Sequence, residues 1–139
     1  MCSCKKRGGG LEDSIRHKRE LGRLGEDIAC DWLSAHGHTV LRRNYRSGHL
    51  EIDIVSIDKD GIHFVEVKTR RFSVQAPPQE SVNRTKQQNI VKAAARFLRS
   101  KAGLPYGEME CLFDVFAITF NKDSTTTDWI PQAYIPIYK

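Results

Sequence analysis

The architecture turns on Leu50-Glu51-Ile52-Asp53-Ile54-Val55 and on Phe64-Val65-Glu66-Val67-Lys68, in which Glu66 follows Asp53 by thirteen residues. Both runs are rich in β-branched and aromatic residues and read as strands. Between them Asp58-Lys59-Asp60-Gly61 supplies turn residues, with the Asp-Gly step favoured where φ must be positive. A hairpin closed near Asp60 brings Asp53, Glu66 and Lys68 into one small volume. Side chains alternate faces along a strand, so Glu51, Asp53 and Val55 are expected on one face and Leu50, Ile52 and Ile54 on the other. Glu66 and Lys68 share a face by the same rule. Two carboxylates and one ammonium on adjacent strands suit a divalent cation and an activated water. The structural alternative is a partly buried Asp53–Lys68 salt bridge, since buried charge is costly unless paired.

Outward from this hairpin the pattern is mixed α and β. A helix is expected from about Asp13-Ser14 to Ala35, with Leu21, Leu24, Ile28 and Trp32 as its apolar stripe and Gly37 ending it. Val40-Leu41 begins a strand that passes through Arg42-Arg43-Asn44-Tyr45-Arg46. Residues 73–84, with Pro77-Pro78, read as a loop. A second helix spans about Arg84 to Lys101, capped by Asn83, with Ile90, Val91, Ala94, Phe97 and Leu98 facing the core. Cys111 to Phe120 is a strong strand. Trp129 to Tyr138 is a last aromatic strand, which Pro131 and Pro136 assign to a sheet edge. The order α-β-β-β-α-β-β predicts an α/β fold, a central mixed sheet flanked by helices.

The 139 residues suit one core. Residues 1–19 read as a basic, mobile tail and 20–139 as a single domain. The tail has no apolar segment behind its basic residues, and no apolar run approaches the ~20 residues needed to span a bilayer. A cytoplasmic protein with no membrane association is expected. Cys2, Cys4, Cys30 and Cys111 show no paired zinc spacing, so reduced, unligated cysteines are expected over a zinc site borrowing His36 and His38.

Charge is informative by position. The net charge is +5, but from Val67 to Lys101 nine basic residues face a single acid, Glu80. The C-terminal third leans the other way through Glu108, Glu110, Asp114, Asp123 and Asp128. Positive charge therefore flanks the carboxylate strands, where a polyanion such as DNA or RNA would be drawn. Two further polar residues sit beside apolar stripes: Glu26 on the first helix and Gln87 on the second. Gln87 is in phase with Ile90 and Val91, so it expects a partner.

Gly25-Glu26, then Glu51-Ile52-Asp53-Ile54-Val55, then Phe64-Val65-Glu66-Val67-Lys68-Thr69-Arg70 resemble the YraN-like proteins, an endonuclease-related bacterial group of the PD-(D/E)XK superfamily. Lys86-Gln87, closing the block from Val82, and Phe113-Asp114-Val115-Phe116-Ala117-Ile118 resemble later blocks of that family. The match runs from about residue 21 to 120. Ile52 departs from the superfamily's proline, at a position that shapes the strand and does not bind metal.

The resemblance implies a restriction-endonuclease-like fold for residues 20–139 and a Mg²⁺-dependent (or Mn²⁺-dependent) hydrolysis of phosphodiester bonds in DNA, at branched or single-stranded structures. Asp53 and Glu66 would hold the cation, with the Val67 carbonyl as a further ligand and Glu26 acting through water. Lys68 would orient the attacking water or stabilise developing charge, and Lys86 or Gln87 would hold a phosphate or support Lys68. Arg42, Arg43, Arg46, Arg70, Arg71 and Lys86 are the expected nucleic-acid contacts. A homodimer is compatible with cutting two strands. The competing expectations are a nucleic-acid-binding module with little chemistry and a domain that docks on an acidic protein.

Overall fold

The Asp-Gly turn forms as its residues dictate. The Asp58 carboxylate accepts the Asp60 N–H at 2.9 Å, and Gly61 takes a φ of 153° that a side chain would resist. On either side lie β2 (Leu50–Asp58) and β3 (Gly61–Arg71), paired antiparallel. The computed structural model describes residues 10–72 and 83–134, with side chains from residue 15 onward. The cysteines at 2 and 4, the loop at 73–82 and the end of the expected last strand lie outside the described residues.

The sheet is mixed, in the order β1-β2-β3-β4-β5, with β1 at Thr39–Ser47, β4 at Cys111–Phe120 and β5 at Thr125–Ile130. All neighbours are antiparallel except β3 and β4, which run parallel and are joined across a sheet face by α2 (Arg84–Arg99). The other face carries α1 (Gly10–Ala35). This is an α/β architecture consistent with a restriction-endonuclease-like fold. No helix among the described residues is long and apolar enough to cross a membrane.

Each helix buries its own apolar cluster. Under α2, Ile90, Ala93, Ala94 and Phe97 pack on Ile52, Val55, Phe64 and Phe113. Under α1, Ala29 and Leu33 pack on Ile54, Val65, Phe116 and Ile118. The Asn83 side chain caps α2 by accepting the Lys86 N–H at 2.8 Å, and Ser100 closes its other end.

Several sequence expectations shift. α1 begins at Gly10, three residues before the expected start at Asp13-Ser14. Its contact face is centred on Gly25, Ala29 and Leu33, while Leu24 is 47% exposed. Small residues win that face because they let the helix approach β3 closely. A Cβ on Gly25 would collide with the Thr69 hydroxyl. The last strand is Thr125–Ile130, earlier than expected; three β-branched threonines start it and Pro131 follows it, at the predicted edge.

Strict alternation along β2 also fails. Leu50, Ile52 and Val55 all belong to the cluster under α2, and Ile54 belongs to the one under α1. The phase changes at Asp53. Opposite it, between the pairs Arg43↔Ile54 and Tyr45↔Ile52, stands Asn44 with a φ of 53°. That left-handed residue interrupts β1 beside the phase change, and asparagine tolerates the region better than most.

Gly25→Ala is expected to lower stability by about 1–3 kcal/mol through overpacking, with Thr69→Ala in the same chain restoring part of the loss. Urea unfolding of the three proteins checks this; an unchanged midpoint in Gly25→Ala would contradict the close approach.

Candidate active site

β2 pairs with β3 from Asp58↔Gly61 back to Ile54↔Val65. Asp53 comes next, with Glu66 opposite it at the first position beyond the paired ladder. From here β2 stays with β1, through Tyr45↔Ile52 to Ser47↔Leu50, and β3 stays with β4 as far as Arg71↔Phe120. The two strands fork. A strand that loses its neighbour exposes backbone donors, and one is answered by a side chain: Asp53 Oδ2 accepts the Val67 N–H at 2.8 Å.

At the fork the Asp53 and Glu66 carboxyl groups lie close enough to interact directly. Desolvation first, and the Glu66 charge second, push the Asp53 carboxyl up to about 7, although the Val67 N–H and Lys86 pull the other way. Glu66 is buried, and Lys86 Nζ lies 3.3 Å from its Oε2. Lys86 reaches it because the Asn83 cap fixes the first turn of α2, where the Gln87 N–H also bonds the Asn83 carbonyl at 2.9 Å. The Lys86 ammonium is raised by Glu66 and Asp53 against its own desolvation.

Glu26 arrives from the opposite side, carried in by the close approach at Gly25. Its carboxyl is raised by desolvation and by Asp53, and lowered by a hydrogen bond from Asn44 and by Arg43. Arg43 lies 2.8 Å from Asp27 and 3.8 Å from Glu26, so it ties β1 to α1 and holds Glu26 in place. Lys68 follows Glu66 on the same face of β3 and is partly buried.

The structure thus brings Asp53, Glu66 and Lys86 together, with Glu26 coupled through its charge. Arg42 and Arg46 are exposed on β1, Arg42 lying over the Tyr45 ring at 5.7 Å from its centroid. Arg70 and Arg71 lie further along β3 from Lys68. They line a groove of about 560 Å³ with His17, Lys18, Leu21 and Thr69. Asn44 escaped the sequence reading; its signal was an asparagine inside an extended run opposite the key aspartate.

The donor set fits a hard divalent cation. Its carboxylate oxygens are held close enough to repel, and the resulting upward shift is what a bound dication would reverse. Asp53 and Glu66 are the residues that would hold Mg²⁺ or Mn²⁺, with the Val67 carbonyl on the residue that orients Asp53.

A forked mixed sheet carrying an aspartate, then Glu-x-Lys on the next strand, defines a protein related to the PD-(D/E)XK nucleases. The chain belongs to Uncharacterised protein family UPF0102, the YraN family, whose model matches residues 25–118. It is 43% identical over 99 residues to a UPF0102 protein of Prosthecochloris aestuarii, covering 71% of this chain and 76% of the relative. It is 40% identical over 118 residues to one of Geobacter metallireducens, covering 85% of this chain and 94% of the relative.

Asp53 gives a pH dependence with a definite sign. Its carboxyl in the folded protein is raised from 3.8 to about 7, so between those values the folded state holds a proton that the unfolded chain has released. The associated stability is present at low pH and is lost as pH rises through about 7. In EDTA, the wild-type protein is expected to lose more stability between pH 5 and pH 8 than Asp53→Asn, whose amide oxygen still accepts the Val67 N–H. Urea melts at the two pH values measure this, and equal losses would refute it.

Proposed function

We propose that the protein is a metal-dependent nuclease that hydrolyses phosphodiester bonds of DNA at branched or single-stranded structures. The observation that carries this reading is the convergence of Asp53 and Glu66 at the fork of β2 and β3, with Lys86 alongside and Lys68 next on the same face. Membership of the nuclease-related family supports it.

The cation that Asp53 and Glu66 would hold supplies charge neutralisation at the scissile phosphate and activation of water. The chain's own residues do the rest. The Val67 N–H fixes the Asp53 carboxylate, and Arg43 with Asn44 fixes Glu26 beside it. Lys68 supplies positive charge where the phosphate oxygens gain negative charge during in-line displacement. Lys86 neutralises Glu66 and is exposed over nearly half its side chain, so its ammonium can also meet a phosphate. Arg70 and Arg71, with Lys18 and His17 across the groove, contact the sugar–phosphate backbone, which positions the strand without reading its bases. Arg42 and Arg46 extend the basic surface along β1.

The test is incubation of the purified protein with single-stranded, duplex, flap and four-way-junction DNA in Mg²⁺, Mn²⁺ or EDTA. Cleavage is expected with metal only, falling at least about 100-fold in Asp53→Ala and Lys68→Ala. Binding without cleavage in every metal would overturn the nuclease reading and leave a nucleic-acid-binding module. Loss of salt-sensitive binding as well would leave docking on an acidic protein.

The groove makes its own prediction. Arg71→Ala is expected to weaken DNA binding similarly across sequences and to reduce the slope of log K against log salt by about 1. Titrations at several salt concentrations check it, and an unchanged slope would place the DNA elsewhere.

A further inference from the structure

A second polar cluster lies away from the fork, on the α1 side of the sheet. His38 and His63 are buried, their rings 4.5 Å apart between centroids, and both turn Nε2 toward the Asp58 carboxylate. His63 Nε2 lies 2.7 Å from Asp58 Oδ1, and His38 Nε2 lies 3.4 Å from Asp58 Oδ2. The other nitrogen of each ring is also engaged. His63 Nδ1 lies 2.5 Å from Asp114 Oδ2, and His38 Nδ1 lies 2.9 Å from Ser56 Oγ.

We propose that His38, Asp58 and His63 form a binding site for a divalent transition metal of the Zn²⁺ class, distinct from the carboxylate pair at the fork. One ligand atom from each of the three lies within 4.8 Å of the others. Two imidazoles and a carboxylate are a donor set for zinc, whereas Mg²⁺ prefers oxygen alone. Zinc bonds of roughly 2.0–2.2 Å in tetrahedral array put ligand atoms about 3.3 Å apart. The two imidazoles meet different oxygens of Asp58, His38 at Oδ2 and His63 at Oδ1, so an ion held by one of those oxygens draws the carboxylate and the rings together by small side-chain rotations. Three protein ligands leave one position for water, reached past Asp58, the least buried of the three.

The outer contacts are those of a metal site. The Asp114 carboxylate accepting from His63 Nδ1–H fixes the tautomer that presents Nε2, and the Ser56 hydroxyl does the same for His38. Asp114 is itself fully buried and held by the Gln132 N–H at 2.7 Å. The His38 backbone is set by the end of α1: Gly37 takes a φ of 92° and the His38 N–H bonds the Leu33 carbonyl at 2.9 Å. The Trp129 ring lies against both histidines, 5.8 and 6.2 Å between centroids, and supplies an apolar wall. A dication would also balance the two carboxylates, Asp58 and Asp114, in this weakly hydrated region.

Full-length protein stripped with EDTA, then titrated with Zn²⁺ by calorimetry and with Co²⁺ by visible absorption, tests the site. The expected result is one Zn²⁺ per chain, a four-coordinate Co²⁺ spectrum and a higher melting temperature with Zn²⁺. Asp53→Asn and the Cys2→Ser/Cys4→Ser double variant should keep all three. His38→Gln and His63→Gln should weaken binding at least tenfold, and Asp114→Asn by about 10–100-fold. Circular dichroism establishes folding, and His38→Gln, which removes a ligand outside the strand interior, serves if His63→Gln unfolds. No stoichiometric binding by the wild type, binding unchanged in His38→Gln, or binding lost with Cys2 and Cys4 would each overturn the proposal.

Discussion

The hydrogen bond from the Val67 N–H to Asp53 marks the constraint on which the rest of the molecule depends. A sheet can open a crevice between neighbouring strands only if the orphaned backbone groups find other partners, because an unmet buried donor costs about 1–3 kcal/mol. Asp53 meets that need with its own carboxylate, at the residue where β2 leaves β3. The remaining chain holds the fork open from both faces. β3 and β4 run parallel, so a crossover must span one face, and α2 is that crossover; its capped first turn delivers Lys86 to Glu66. On the other face Gly25 lets α1 lie on Thr69, which delivers Glu26.

Much of this was readable in the residues because it rests on local rules. The Asp-Gly turn, the β-branched runs, the Asn83 cap and the apolar stripe of α2 each declare themselves within a few positions, and each stands in the structure. The misses are cases where a tertiary contact overrides a local pattern. Two of the three residues at the centre of the α1 contact face, Gly25 and Ala29, carry little hydrophobic signal, so the larger residues beside them drew the stripe. Alternation along β2 presumes a uniform backbone, and its phase changes at Asp53, opposite the left-handed Asn44 of β1. No pattern within β2 reports that event.

Charge followed the same division. Read along the chain, the basic run on and after β3 is one surface for a polyanion. In space several of its members and their neighbours have structural work: Lys86 pairs with Glu66, Arg96 bonds the Ser47 carbonyl and hydroxyl, and Arg43 pairs with Asp27. Asp114, counted among the acids of the C-terminal third, adds nothing to the surface because it is fully buried against His63. The basic surface is consequently narrower than the composition implies, and part of it, Arg70 and Arg71 with Lys18 and His17, lines one groove.

Two polar clusters on one small sheet raise the question of whether either disturbs the other. Asp53 and Asp58 are five residues apart on β2, about 16 Å along an extended strand. Unit charges at that separation interact by about 1 kcal/mol at an effective dielectric constant near 20. Within each cluster the contacts are near 3 Å, where the same relation gives about 5 kcal/mol. Between them Ile54, Val55, Phe64 and Val65 are fully buried and carry no charge. Coupling inside each cluster therefore dominates coupling across the sheet, so a change of charge at the fork leaves the histidine cluster little disturbed. That separation allows one domain of this size to carry both.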